Sequence, residues 1–168
     1  GIIRDSLTED YWAISLPNAL ETSSARSPYL FAYYAALNLL DARVLFSEMR
    51  VAELLDPAII PKKSAVERHH LFPKGYLKTI GITDIRDTNQ VANYALVQWD
   101  DNIHISSSAP SDYYPKYEQR WAGDAAAWGV TLKHHALPDG WHRMEYRRFL
   151  EERRRLLAQV IRAGFETL

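Results

Sequence analysis

Two adjacent histidines are the main candidates in this chain for residues that take part in catalysis. His69 and His70 lie within residues 67–74, Glu-Arg-His-His-Leu-Phe-Pro-Lys, and two asparagines, Asn93 and Asn102, follow. An imidazole with an ordinary pKa of about 6.5 can take a proton from water near neutral pH, and imidazoles and amides can both ligate a divalent cation. Because neighbouring strand residues point to opposite faces, the two histidines cannot share one role. One can ligate metal while the other activates water, which suits hydrolysis of a phosphodiester.

The residues around these positions resemble the HNH (ββα-metal) nuclease family. The first-strand signature of that family is Asp or His, then His, an aliphatic residue, a variable residue and Pro, and residues 69–73 are similar to it. Asn93 resembles the central Asn of the family. Asn102, nine residues further on, resembles its second metal ligand. The corresponding asparagines of the HNH domain in the CRISPR effector nuclease have the same spacing.

A narrower resemblance comes from two further stretches. Residues 89–94, Asn-Gln-Val-Ala-Asn-Tyr, and residues 109–113, Ala-Pro-Ser-Asp-Tyr, look like the C-terminal HNH region of GmrSD-type modification-dependent restriction proteins and related antiphage nucleases. The specific motifs cover residues 67–117, under a third of the chain.

The resemblance implies a role for each matching residue. His70 would be the general base. His69 and Asn102 would be metal ligands, with phosphate and water completing the coordination shell. Asn93 would brace the loop between the strands and so keep His70 aimed.

Metal identity and substrate contacts are implied less directly. Many HNH sites have Asp where this chain has His69, and a neutral imidazole makes the site less negative. We expect Mg²⁺ as the cofactor, with Mn²⁺, Ni²⁺ or Zn²⁺ as alternatives. Lys74 could reach a phosphate oxygen, although a solvated surface lysine is the more common case. His104 could contact the metal or the scissile phosphate.

By this resemblance the chain is expected to be a metal-dependent endonuclease that hydrolyses DNA, modified or not. It would be the cytoplasmic effector domain of a restriction or antiphage defence protein. The first residue is Gly1, not Met, so we expect an excised part of a longer protein with an N-terminal sensor or NTPase domain. One alternative is a catalytically inactive HNH-fold module for nucleic-acid binding or assembly. Another is a metallohydrolase of small phosphoesters, which the absence of a Gly-rich nucleotide loop disfavours.

Composition bounds the kind of protein that positions these residues. The chain has 168 residues, 47% of them hydrophobic, which is ample for a packed core. It has no cysteine, which excludes disulfides, thiol catalysis and cysteine-ligated zinc. No apolar run approaches the roughly 20 residues that span a bilayer, so no membrane association is expected. The net charge of −1 does not by itself indicate nucleic-acid binding.

The expected fold class is α+β, mostly helical, with an embedded ββα-metal core of a short antiparallel β-hairpin and a helix. Residues 1–60 are predicted to form a helical flanking segment and residues 61–120 the nuclease core. Residues 121–168 are predicted to form a C-terminal helical segment that packs on the core, so that the whole is one compact unit.

Capping and periodicity predict the flanking helices. Ser27 followed by Pro28 is typical of a helix start, a second helix is predicted over Ser47–Leu55, and a last helix of about 20 residues is predicted from near Arg143. Between Trp141 and Leu168 there are seven Arg and four Glu, which could pair along the helix or face phosphate. The residues predicted on the buried sides of the first and last helices are Leu30, Tyr33, Tyr34, Leu37, Leu40, Tyr146, Phe149, Leu150, Leu156, Leu157, Val160 and Ile161.

Shorter elements are predicted for the middle of the chain. In order, they are a strand over 65–72, a helical turn over 76–80 closed by Gly81, a polar loop over 82–90, a strand over 91–99 that contains Asn93, a short helix over 102–106, and a helix from Pro110 limited by Pro115. The tyrosines and tryptophans over 113–128 could stack on bases, but their helical spacing and apolar neighbours favour packing in the core. His134, His135 and His142 are predicted to lie at the surface.

Overall fold

Short strands and longer helices give the chain an α+β fold, mostly helical, as predicted. A computed structural model describes residues 7–55, 67–98, 101 and 104–168. The α-helices are α1 (Leu16–Ala19), α2 (Pro28–Leu39), α3 (Val51–Leu55), α4 (Lys74–Thr79), α5 (Ile85–Thr88), α6 (Pro110–Glu118), α7 (Ala125–His134) and α8 (Tyr146–Phe165). The strands are β1 (Glu67–His70) and β2 (Tyr94–Val97). A π-helical turn, Tyr11–Ser15, leads into α1, and 3₁₀ turns are formed by Val91–Asn93, Gln119–Trp121 and Trp141–Arg143.

The start of α2 is as predicted. The Ser27 hydroxyl accepts a hydrogen bond from the Tyr29 amide, and Pro28 occupies the first turn, where its missing N–H costs nothing. Of the predicted apolar face, Leu30, Tyr33 and Leu37 are buried. Tyr34 and Leu40 are half-buried.

The second helix is shorter than predicted. It begins at Val51, not at Ser47. Residues 43–50 instead form a turn in which Arg43 pairs with Arg50 in an antiparallel bridge, and Leu45 forms a parallel bridge with Val97 at the end of β2. These backbone bonds satisfy groups that a helix would otherwise have used.

Strands β1 and β2 form a two-stranded antiparallel sheet in which His69 faces Ala95 and His70 faces Tyr94. Side chains alternate across the sheet, so His69 and Ala95 lie on the buried face. His70 and Tyr94 lie on the other face and are half-buried. The predicted strand start at residue 65 lies outside the described residues.

Asn93 is not inside the second strand, which corrects the sequence prediction. It ends the 3₁₀ turn Val91–Asn93, and β2 begins only at Tyr94. The backbone N–H of Asn93 donates to Gln90 across this turn at 2.8 Å, while its carbonyl accepts from Leu71 at 2.8 Å. The backbone is therefore curved at Asn93, so that its side chain can face the loop after β1.

Two other predictions in the middle of the chain need correction. The predicted loop over 82–90 contains α5, whose N-terminus is capped by the Asp84 carboxylate accepting from Arg86. Pro115 does not limit α6, because the helix continues to Glu118. The hydrogen bond lost at Pro115 would have reached the carbonyl of Ser111, an exposed residue where water can substitute.

The helix needed to complete a ββα unit is described only in part. Asp101 and residues 104–105 are helical, whereas residues 102 and 103 lie outside the described residues. The helical turn predicted over 76–80 is α4, which begins earlier, at Lys74, and is followed by Gly81 with a positive φ of 86°.

The last helix has the predicted length of 20 residues, beginning at Tyr146. The Glu145 carboxylate caps it by accepting from the amides of Arg147 and Arg148. Every predicted core residue of this helix is buried except Leu156, which is half-buried. Within the described part of the chain, no helix combines the length and the apolar character needed to cross a membrane.

Candidate functional site

His70 is the last residue of β1, and its imidazole is held in place from one side. Its Nε2 lies 2.9 Å from Oδ1 of Asn89, and its ring centroid lies 4.7 Å from that of Tyr94. An amide oxygen can only accept, so Nε2 carries the proton and Nδ1 carries the lone pair. The contact therefore selects the tautomer in which Nδ1 is the basic nitrogen.

The surroundings of His70 favour the neutral imidazole. Partial burial lowers the pKa of His70, and the positive charges of Lys74 and Arg68 lower that pKa further, while the Asn89 hydrogen bond acts in the opposite direction. At neutral pH the ring can therefore accept a proton.

Asn93 is fully buried and bonds three backbone groups. Its Oδ1 accepts from the Phe72 amide at 2.8 Å. Its Nδ2 donates to the carbonyls of Phe72 and Thr88, each at 3.0 Å. Phe72 is two residues beyond His70, and Thr88 precedes Asn89, so one amide ties together both segments that position the imidazole. The predicted bracing role of Asn93 stays a prediction, and these hydrogen bonds are compatible with it.

His69 lies on the opposite face of β1 and is only 2% exposed. Its ring meets that of Tyr113 edge-on, with centroids 5.9 Å apart and planes at 77°. The Tyr113 hydroxyl in turn donates to the carbonyl of Leu71, the residue after His70. Helix α6 therefore packs directly against the buried side of the strand that carries both histidines.

The second predicted metal ligand, Asn102, lies outside the described residues. Its neighbour Asp101 is buried; the Asp101 carbonyl accepts from the Tyr117 hydroxyl at 3.4 Å, and its carboxylate pairs with Arg120 at 3.0 Å. Over the described ranges, no group of three or more His, Asp or Glu side chains could hold a metal ion. The expected set, an imidazole nitrogen with an amide oxygen, is chemically suited to a divalent cation and leaves coordination positions open.

The two predicted substrate-binding residues, Lys74 and His104, are both exposed. Lys74 lies at the start of α4, close enough to influence His70.

Of the three histidines predicted at the surface, His135 is fully buried. Its Nε2 donates to the Arg43 carbonyl at 2.7 Å, and burial lowers the pKa of His135 to about 4. His134 and His142 are half-buried. The prediction for His135 was therefore wrong, because α7 ends against the turn at Arg43 and the residue that follows the helix lies beneath that turn.

The last helix contains six arginines. Three of them pair with glutamates one helical turn away, in Arg148–Glu152, Arg155–Glu151 and Arg162–Glu166, and Arg147 pairs with Asp87. Arg153 is fully buried and donates to the backbone carbonyls of Ala92, Tyr94 and His135. For these residues, pairing and structural bonding account for the charge.

Sequence reasoning assigned no role to Asn89 or Arg68. Asn89 lies four residues before Asn93, and only the α5 turn brings it to His70. Arg68 precedes His70 by two residues, so strand alternation alone could have placed both on one face.

The chain matches no family model, no curated protein and no solved structure. The likeness to HNH nucleases therefore rests on the motif residues themselves.

Proposed function

We propose that this chain is a metal-dependent HNH endonuclease that hydrolyses DNA phosphodiester bonds. The observation that carries the proposal is the arrangement around His70. A half-buried imidazole is oriented by Asn89 at the end of a two-stranded sheet, and Asn93 fixes the loop beside it. A buried amide whose hydrogen bonds join the segments at Phe72 and Thr88, on either side of the imidazole, indicates a site whose geometry matters.

In the proposed reaction, Nδ1 of His70 accepts a proton from a water molecule. The water oxygen attacks phosphorus in line with the departing 3′ oxygen, which leaves as the P–O bond breaks and then takes up a proton from solvent. Asn89 keeps the imidazole in the basic tautomer and disperses the positive charge that develops on the ring. A divalent cation held by His69 and Asn102 would supply neutralisation of charge on the phosphate and on the leaving oxygen.

The biological setting is part of the same proposal. We place the chain as the effector end of a restriction or antiphage defence protein in the cytoplasm, with modified DNA among its substrates and a nucleotide- or modification-sensing domain as its partner. Support comes from the motif resemblance of residues 89–94 and 109–113. Competition between plasmid DNA and small phosphodiesters tests the choice of a polymeric substrate.

Plasmid cleavage in Mg²⁺, Mn²⁺ or EDTA tests the reaction. Wild-type protein should cut with metal and not with EDTA, and His70→Ala should lose activity by at least about 100-fold, the usual contribution of a general base. Asn102→Ala should also lose activity, with loss of metal affinity. His134→Ala is the matched control, because it removes a half-buried imidazole from another part of the molecule, and it should cut normally.

Asn89→Ala tests whether the orientation of His70 matters, because it should reduce cleavage only in part. The imidazole would stay in place but lose its orienting partner, so cleavage should fall on the order of 10-fold without loss of metal binding. Undiminished cutting by folded His70→Ala would overturn the mechanism. Absence of cutting by folded wild-type protein with every metal would instead favour the catalytically inactive nucleic-acid-binding module.

A further inference from the structure

Arg68 lies on the same face of β1 as His70, two residues earlier along the strand. It is exposed, and its guanidinium lies 5.6 Å from the ring centroid of Tyr94. The ring of Tyr94 is also the one beside His70, at 4.7 Å. One aromatic ring therefore positions both the imidazole and the guanidinium.

Unlike most of the described arginines, Arg68 has no carboxylate partner among the residues that the structure describes. Within the described ranges seven arginines form ion pairs: Arg50, Arg86, Arg120, Arg147, Arg148, Arg155 and Arg162. Neither Arg68 nor Lys74, the other cation near His70, lies within ion-pair distance of any described acidic group. As far as the described residues show, two positive charges without an acidic partner therefore lie beside the imidazole in a chain whose net charge is −1.

Arg68 is exposed, with its guanidinium carbon over the ring of Tyr94. A guanidinium presents its N–H groups in a planar fork, which matches two oxygens of a phosphate. Arg68 is two strand residues from His70, a separation of roughly 7 Å along the backbone. This distance would allow Arg68 to contact the phosphate adjacent to the scissile phosphate, which is attacked by the water that His70 activates.

We infer that Arg68 is a substrate-binding residue that binds a backbone phosphate of the DNA strand attacked at His70, while its guanidinium is positioned by the ring of Tyr94. This rests on the proposed nuclease function for the choice of substrate. It adds a recognition role for Arg68 and Tyr94 that the HNH motif residues do not include.

The test measures binding of a fluorescently labelled DNA duplex by the full chain in EDTA, over a range of salt concentrations. Neutralising one phosphate contributes about 0.9 to the slope of log K against log salt on duplex DNA. Arg68→Gln should therefore reduce the slope by about 1 and weaken binding on the order of 10-fold at low salt. Arg68→Lys should keep the slope but bind less tightly than wild type, because the ammonium lacks the fork and the stacking surface.

Arg155→Gln is the matched control. It removes the same charge from an exposed arginine that is paired with Glu151, and it should leave slope and affinity unchanged. If Arg68→Gln behaves like this control while wild-type protein cuts plasmid, the inference fails and the nuclease proposal stands. If Arg68→Gln loses binding but wild-type protein cuts nothing, the DNA contact stands and the nuclease proposal fails. If wild-type protein neither binds nor cuts DNA, both are overturned.

Discussion

At the scale of single residues, Asn93 shows why the site needs a particular side chain. An amide offers one oxygen acceptor and two N–H donors, and Asn93 uses both kinds on backbone groups of Phe72 and Thr88. Asp has the same shape but no donor, and Leu has neither donor nor acceptor. Only an amide of this size can satisfy all three groups without water.

Replacing Asn93 with Ala should destabilise the protein by about 3 kcal/mol. The change removes three buried hydrogen bonds at roughly 1 kcal/mol each and leaves their backbone partners unsatisfied. Urea denaturation measures the loss, and plasmid cleavage by the folded fraction should fall as well. Asn38→Ala is the control, because Asn38 is exposed on α2 and should change stability by less than about 0.5 kcal/mol. Equal stabilities for the two variants would show that Asn93 does not brace the loop.

These site residues could be recognised from the sequence, but not all of the residues that contact them could be. His69, His70 and Asn93 stand out because tandem imidazoles and a lone amide among apolar residues are uncommon. Asn89 does not, because its role depends on α5, and α5 was not predicted. The capping carboxylate of Asp84 is a local signal for that helix, but a stretch this short and polar resembles a loop equally well.

At the scale of elements, local signals predicted helices well and failed where tertiary contacts decide. Ser27 and Pro28 satisfy their own neighbours, so the start of α2 follows from sequence. The later start of α3 depends on the bridge between Leu45 and Val97, residues far apart in the chain. Likewise, Pro115 stays within α6 while the tyrosines on either side of it are buried, since core packing outweighs the propensity of one residue.

The packing of α8 against α2 depends on two small residues. A Cβ placed on Gly164 would lie 2.6 Å from the Cβ and 2.7 Å from the Cα of Ala36. Both distances are shorter than carbon atoms tolerate, and the second involves backbone. The two helices therefore approach so closely that only glycine fits at this point.

Gly164→Ala should destabilise the protein by about 1–3 kcal/mol, because the helices must separate to admit one methyl group. Gly129→Ala, in α7, should have the opposite effect on stability, because nothing lies within 4 Å of the added Cβ. There the gain in helix propensity should stabilise by about 0.5–1 kcal/mol. Thermal denaturation of both variants measures these two changes in stability. A stabilised Gly164→Ala variant would contradict the close approach.

At the scale of the whole molecule, a buried polar network joins the site to the C-terminal helix. Arg153 of α8 donates to Ala92 and Tyr94, at the turn that contains Asn93 and the start of β2, and to the carbonyl of His135 after α7. Its partners at the turn are 61 and 59 residues away in sequence. Arg153 lies four residues from both Phe149 and Leu157, on the apolar side of the helix. Because arginines in an Arg-rich amphipathic helix are usually exposed, sequence reasoning nevertheless placed it among solvated or phosphate-facing residues.

His135 makes this network sensitive to acid. Its Nε2 is bonded to the Arg43 carbonyl, and its Nδ1 has no hydrogen-bond partner among the described residues. The groups that face it include Arg153 and His134, whose charges also lower the pKa of His135. A second proton on this ring would be buried beside a guanidinium. The neutral form is therefore the folded form.

Stability should accordingly fall in acid, and the sign follows from the two pKa values. The pKa of His135 is about 4 when folded, against an ordinary value of 6.5 when unfolded, so between these values the unfolded chain binds more protons. The contribution is complete above about pH 6.5 and is lost as the pH falls toward 4, by up to roughly 3 kcal/mol. Urea denaturation at pH 7.5 and 4.5 measures the difference, to which other histidines with lowered pKa values, His70, His134 and His142, add in the same direction. His135→Gln should reduce the difference in stability between the two pH values by more than His134→Gln does, because His134 is only half-buried. An equal effect of the two variants would mean that His135 is not the principal acid-sensitive group of the core.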